Sequence, residues 1–90
     1  MNKLEDYSNP KVVLKKGKKM GYKISISTRK GKKYMVENPD GKMVHFGAIP
    51  YEDFTFHQDE KRRQSFLSRN RRWADADPYS PAYLSYHLLW

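Results

Sequence analysis

The sequence predicts an α+β fold: a small antiparallel β-meander followed by a central helix and a C-terminal helix packed on the sheet. Three observations predict it. "YKISIST" alternates apolar and polar residues, placing Tyr22, Ile24 and Ile26 on one face and Lys23, Ser25 and Ser27 on the other, as a half-buried strand requires. Gly-bearing turns then punctuate the chain at "RKGK" and "NPDG". Beyond Thr55 the alternation gives way to helical spacing, with Arg62, Phe66, Arg69 and Trp73 near one stripe. Ninety residues allow one domain, with a small core.

The elements follow in order. Residues 1–10 read as an N-terminal arm and 11–47 as a basic meander. "KVVLK" reads as a possible extra strand, joined through "KGKKMG". "KYMVE" is rich in strand formers. In "NPDG", Pro39 presets the second turn position, Asp40 tolerates the third and Gly41 relieves the fourth. "KMVHFG" is the returning strand. Residues 51–73 form the central helix region, with Asp53 or Thr55 as the cap and Gln58 three residues after Thr55, as in a capping box. "ADADPYSP" ends that helix. Ser80 followed by Pro81 opens the last one, over 80–90, a cap residue and then proline at the first position. This helix is apolar nearly all round, so it must dock. Trp73 and Trp90 are expected in the core with Phe46, Phe66 and Leu88.

Charge is distributed unevenly. Residues 1–33 carry eleven Lys or Arg against two acids, whereas 34–90 carry seven against eight. The net charge of +8 therefore belongs to the N-terminal third. Such asymmetry points to a polyanionic partner. Lys15, Lys16, Lys18, Lys19, Lys23, Arg29, Lys30, Lys32 and Lys33 are the candidate contacts, more cations than protection of sheet edges needs. Tyr22 and Tyr34 are weaker candidates for stacking on bases. The arginines of the central region are locally balanced. Asp59 lies at helical spacing from Arg62 and Arg63, and Asp75 and Asp77 can answer Arg71 and Arg72. Arg69, Arg71, Arg72 and Trp73 are the candidates for protein docking, because Arg and aromatic residues are enriched at interfaces.

Other chemistries have little support. With no cysteine there is no disulfide, thiol nucleophile or thiolate ligand. His45, His57 and His87 are too widely spaced for a zinc motif. There is no glycine-rich phosphate loop or nucleophile motif. The expectation is a non-enzyme with no cofactor, no metal and no small-molecule substrate. The apolar runs fall far short of the ~20 residues of a membrane helix, and "MNKLEDYSNP" has no signal-peptide core, so no membrane partner is expected.

A series of motifs adds to this reading: Phe46-Gly47, Tyr51-Glu52-Asp53-Phe54-Thr55, His57-Gln58-Asp59, Arg62-Arg63, Phe66, Arg69 and Leu89-Trp90. The series resembles a family of small basic proteins of unknown function from large DNA viruses and phages, over about the last half of the chain. In that family a His often follows the Arg; here Asn70 stands there, so any role of that His does not carry over. The resemblance implies a virion protein, a minor capsid or capsid-associated component without a catalytic site. Its partners would be other virion proteins and perhaps the nucleic acid of the genome. It would reside in the virion, and in the host cell interior during assembly. The alternative is a nucleic-acid-binding protein acting through its basic N-terminal strands.

Overall fold

The computed structural model describes residues 4–90. A 3-10 turn at Leu4–Asp6 leads into helix α1, Pro10–Lys19. Three strands follow, β1 Ile24–Ile26, β2 Lys32–Glu37 and β3 Met43–Ala48. Then come α2 Phe54–His57, α3 Glu60–Arg69, a 3-10 turn at Arg71–Asp75 and α4 Pro81–Leu84. Ser85–Leu89 prolongs α4 in π-helical geometry. The α+β class is as expected. Among the described residues no helix is long and apolar enough to cross a membrane.

The sheet is an antiparallel meander in the order β1-β2-β3. Its register pairs Ile24 with Val36, Tyr34 with Phe46, and Val36 with Val44. Those side chains share one face by strand alternation, and all but the partly buried Val44 join Tyr22, Val13 of α1 and Leu84, Leu88 and Leu89 of the C-terminal helix in the buried cluster. Tyr34 and Phe46 are fully buried, their rings tilted against each other at 5.8 Å. Ile26, expected on this face, is half exposed, because β1 ends there. The NPDG turn behaves as its residues dictate: the Gly41 N–H donates to the Asn38 carbonyl, and Gly41 takes a φ of +80°.

Two elements differ from expectation. "KVVLK" is helix, not strand. Asn9 takes the extended cap position and Pro10 the first helical one, and Pro10, Val13, Leu14 and Gly17 recur at helical spacing. These signals outweigh the two valines. Gly17 lets α1 approach the sheet, since a Cβ there would lie 2.8 Å from Ile24 Cδ1. Gly21, at φ +91°, ends the helix. Its N–H donates to the Lys18 carbonyl and the Tyr22 N–H to that of Gly17, a Schellman arrangement.

The central region, secondly, is two helices. Gln58 adopts the left-handed conformation, and Asp59 starts α3 afresh, its carboxylate accepting from the N–H groups of Lys61 and Arg62. Asp53 flanks only the short α2 and makes no side-chain cap. The C-terminal helix is as expected. Ser80 Oγ accepts from the Tyr83 N–H, Pro81 follows, and the helix packs on β3 and α1.

Candidate functional site

The basic residues divide into three environments. Lys11, Lys15, Lys18 and Lys19 lie exposed on α1, on the side away from Val13 and Gly17. Among the described residues none of the four has a carboxylate within ion-pairing distance. Lys18 and Lys19 also complement the negative end of the helix dipole, but Lys11 and Lys15 sit too early to do so. Lys16 is half-buried beside them, and burial, then the Arg63 charge, lowers its pKa. Lys23 forms an exposed ion pair with Glu37 at 3.6 Å. Arg29 and Lys30 project from the turn beyond the far end of β1, and Lys32 is half-buried at the start of β2.

Lys33 is a correction. It is 2% exposed, and its Nζ donates to Asp53 Oδ2 at 3.0 Å and to the Tyr7 carbonyl at 3.4 Å. It is unavailable to any outside anion. Tyr22 and Tyr34 are also buried. Their hydroxyls engage the Pro78 carbonyl at 2.6 Å and Ser8 Oγ at 2.7 Å, which leaves no ring face for a base. Burial pushes the Tyr34 phenol well above its ordinary pKa.

The second feature is a cleft of about 630 Å³ between the end of β3, α3 and the C-terminal helix. Its α3 wall is the stripe legible in the sequence: Arg62, Phe66 and Arg69, with Trp73 just beyond. Ala48, Leu89 and Trp90 supply the opposite apolar wall. Phe66 stacks on Trp90 at 4.3 Å and 7°, while Trp73 meets Phe66 edge-on at 5.9 Å. Phe66, Trp73 and Trp90 are only partly buried and line this cleft; of the three, Trp90 also packs against the core cluster, whereas Phe66 and Trp73 lie outside the core expected for them. Of the four docking candidates, Arg69 and Trp73 reach the cleft, whereas Arg71 and Arg72 are exposed outside it.

Arginine pairing also differs from expectation. Arg62 pairs with Glu52 at 3.2 Å, and Arg63 with Glu60 at 3.1 Å, because Asp59 is occupied as the cap of α3. Neither Asp75 nor Asp77 forms an ion pair among the described residues. Arg63 Nε donates to the Trp90 carbonyl at 2.9 Å and its guanidinium lies over Phe54 at 5.3 Å, so it ties α3 to the C-terminal helix. Sequence reasoning missed Lys61 and Glu52 as cleft residues. The spacing of Lys61, Ser65 and Arg69 along α3 is the signal that could have found Lys61.

His57 sits behind this wall, its ring 5.1 Å from that of Trp90. Nδ1 accepts from the Asp59 N–H at 2.9 Å, so the neutral ring carries its proton on Nε2, which is buried and unpartnered among the described residues. Burial, then the Arg62 charge, holds its pKa below the ordinary value. The unfolded chain therefore takes up this proton first, and stability falls as pH drops from about 6.5 toward the folded value. The melting temperature is expected to decline between pH 7 and pH 5. His57→Asn, which keeps an acceptor for the Asp59 N–H but cannot titrate, should lose part of that decline. An unchanged profile would show that His57 reaches water freely. Among the described residues no group of three His, Cys, Asp or Glu side chains is placed to hold a metal.

No curated protein and no solved structure matches the chain. Residues 22–70 match the model of a family of unknown function (DUF5754), a span from the edge of β1 to the end of α3 that leaves out α1 and the C-terminal helix. That span is more than half of the 90 residues, so the chain belongs to the DUF5754 family.

Proposed function

We propose that this chain is a non-enzymatic binding module that holds a nucleic-acid backbone on the lysine face of α1. One observation carries this: Lys11, Lys15, Lys18 and Lys19 share one exposed helix side without an acidic partner among the described residues. Four ammonium groups along a rigid rod can meet successive phosphates and release their counterions. Sequence is not read by such contacts, so the module is indifferent to base identity. The resemblance to small basic proteins of large DNA viruses and phages would make the polyanion a viral genome, and the setting a virion. Neighbouring capsid chains would then be its protein partners.

The test is binding to unrelated double-stranded DNA across a salt series. Four phosphate contacts give a log–log slope near −3.6, roughly a hundredfold loss of affinity between 0.05 and 0.2 M salt. Changing all four lysines to Gln should flatten the slope by that amount and leave the fold intact, since all four are solvated. Absence of binding at low salt, or an unaltered slope in the variant, would sink the proposal.

A further inference from the structure

We propose that the cleft beside α3 is a docking site for an acidic peptide segment carrying one bulky apolar side chain. This surface is separate from the lysine face of α1 and stands or falls independently of it. Three features of the cleft define the occupant.

The first is its apolar floor. Ala48, Phe66, Leu89, Trp73 and Trp90 line a cavity of about 630 Å³, enough for a large side chain and its adjoining backbone. An apolar anchor entering it would release water from those walls.

The second is charge. Five ionic side chains line the cleft. Lys33 is neutralised by Asp53, and Arg62 by Glu52. Lys61 and Arg69 remain, and neither has an ion-pair partner among the described residues. They stand eight positions apart on α3, about 12 Å along a helix axis. An extended peptide covers that distance in about four residues. The matching segment therefore has two acids three or four residues apart with the apolar anchor between them.

The third distinguishes a peptide from a nucleotide. A base needs a free ring face on which to stack. Here Trp90 has Phe66 stacked on it and His57 beside it, and Phe66 is covered by Trp90 and abutted by Trp73. Phe66 and Trp90 are thus spent on one another, which leaves the 72% exposed Tyr51 as a lone ring rather than a stacking platform. The stacked pair still presents apolar walls, which suffice for an aliphatic or aromatic anchor.

Panning a phage-displayed library of random dodecapeptides on the folded protein tests this. The expected result is enrichment of peptides in which a Leu, Phe or Trp stands between two acids at that spacing. Synthetic copies should bind at least about tenfold more weakly to the Lys61→Glu, Arg69→Glu double variant, since two favourable charge contacts become repulsive. Both positions are exposed, so a melting profile like that of the parent confirms a folded control. The four-lysine α1 variant should bind the same peptides as the parent does. The proposal is overturned by no enrichment, by enriched peptides without acids, or by binding indifferent to the double charge reversal. It is also overturned if oligothymidylate binds the parent and the α1 variant equally but not the Lys61, Arg69 variant, which would make the cleft a nucleotide site.

Discussion

Asp53→Ala is expected to destabilise the protein by about 3–5 kcal/mol, the cost of leaving a buried charge without its partner. Lys33 and Asp53 are 2% and 1% exposed, and their ion pair measures 3.0 Å. The other carboxylate oxygen accepts from the Thr55 hydroxyl. Thr55 Oγ1 in turn accepts from the Asn9 N–H at 3.0 Å and meets Ser8 Oγ at 3.2 Å, which meets the Tyr34 hydroxyl. The Asp53 N–H donates to the Tyr7 carbonyl at 3.1 Å. This network joins the approach to α1, strand β2 and the start of α2. Truncating Asp53 would strand an ammonium group and loosen three segments together.

Two companion measurements by chemical denaturation identify the cause. The double variant Lys33→Met, Asp53→Leu removes both charges and should lie far closer to the parent than Asp53→Ala does, since a well-packed apolar pair can replace a buried ion pair at little cost. The pH response gives the second. Burial lowers the Lys33 pKa while the Asp53 charge opposes that shift. Without Asp53 the folded pKa falls further below the unfolded value of about 10.4, so the folded state of the variant sheds its proton first and gains stability as pH rises. The deficit of Asp53→Ala should narrow between pH 7 and pH 10. A deficit below about 1 kcal/mol, independent of pH, would show that the Lys33 ammonium swings out to water.

This network also marks where sequence reasoning reaches its limit. The meander and the NPDG turn were legible because alternation and turn chemistry are local. So was the α3 wall of the cleft, because helical spacing alone aligns Arg62, Phe66 and Arg69. Lys33 could not be singled out among nine cations in residues 15–33, since its partner lies twenty residues downstream. Room for its stem comes from Gly47, where a Cβ would lie 3.0 Å from both Cβ and Cδ of Lys33. Helix α1 is an intermediate case. Its Asn-Pro start and its spacing were present in the sequence, but the two valines of "KVVLK" favour a strand and Gly17 falls in the segment read as its connection. That glycine serves the contact with Ile24, a tertiary fact. The far wall of the cleft is tertiary too, because only docking of the C-terminal helix brings Leu89 and Trp90 opposite α3.

Phe46→Ala is expected to cost about 3–5 kcal/mol, and Trp90→Ala markedly less, about 1–2 kcal/mol, although Trp is the larger residue. The ordering follows from burial. Phe46 is wholly enclosed, pairs with Tyr34 across β2 and β3, and belongs to the cluster that joins α1, the sheet and the C-terminal helix. Truncation would leave a cavity there that rigid strands cannot collapse to fill. Trp90 is partly exposed, and part of its surface forms the cleft wall. Its loss removes the stack on Phe66, a contact worth about 0.5–1.5 kcal/mol, together with a fraction of the burial of a full core residue. The carbonyl that receives Arg63 belongs to the backbone and survives the change. Equilibrium denaturation of the two variants decides the matter. If Trp90→Ala proved the more damaging, the stability of the domain would reside in the aromatic cluster between α3 and the C-terminal helix, and the cleft would be a seam of the core. If the order holds, Trp90→Ala becomes the informative variant for the cleft: still folded, with one wall removed, it should lose the acidic peptide while keeping its hold on DNA through α1.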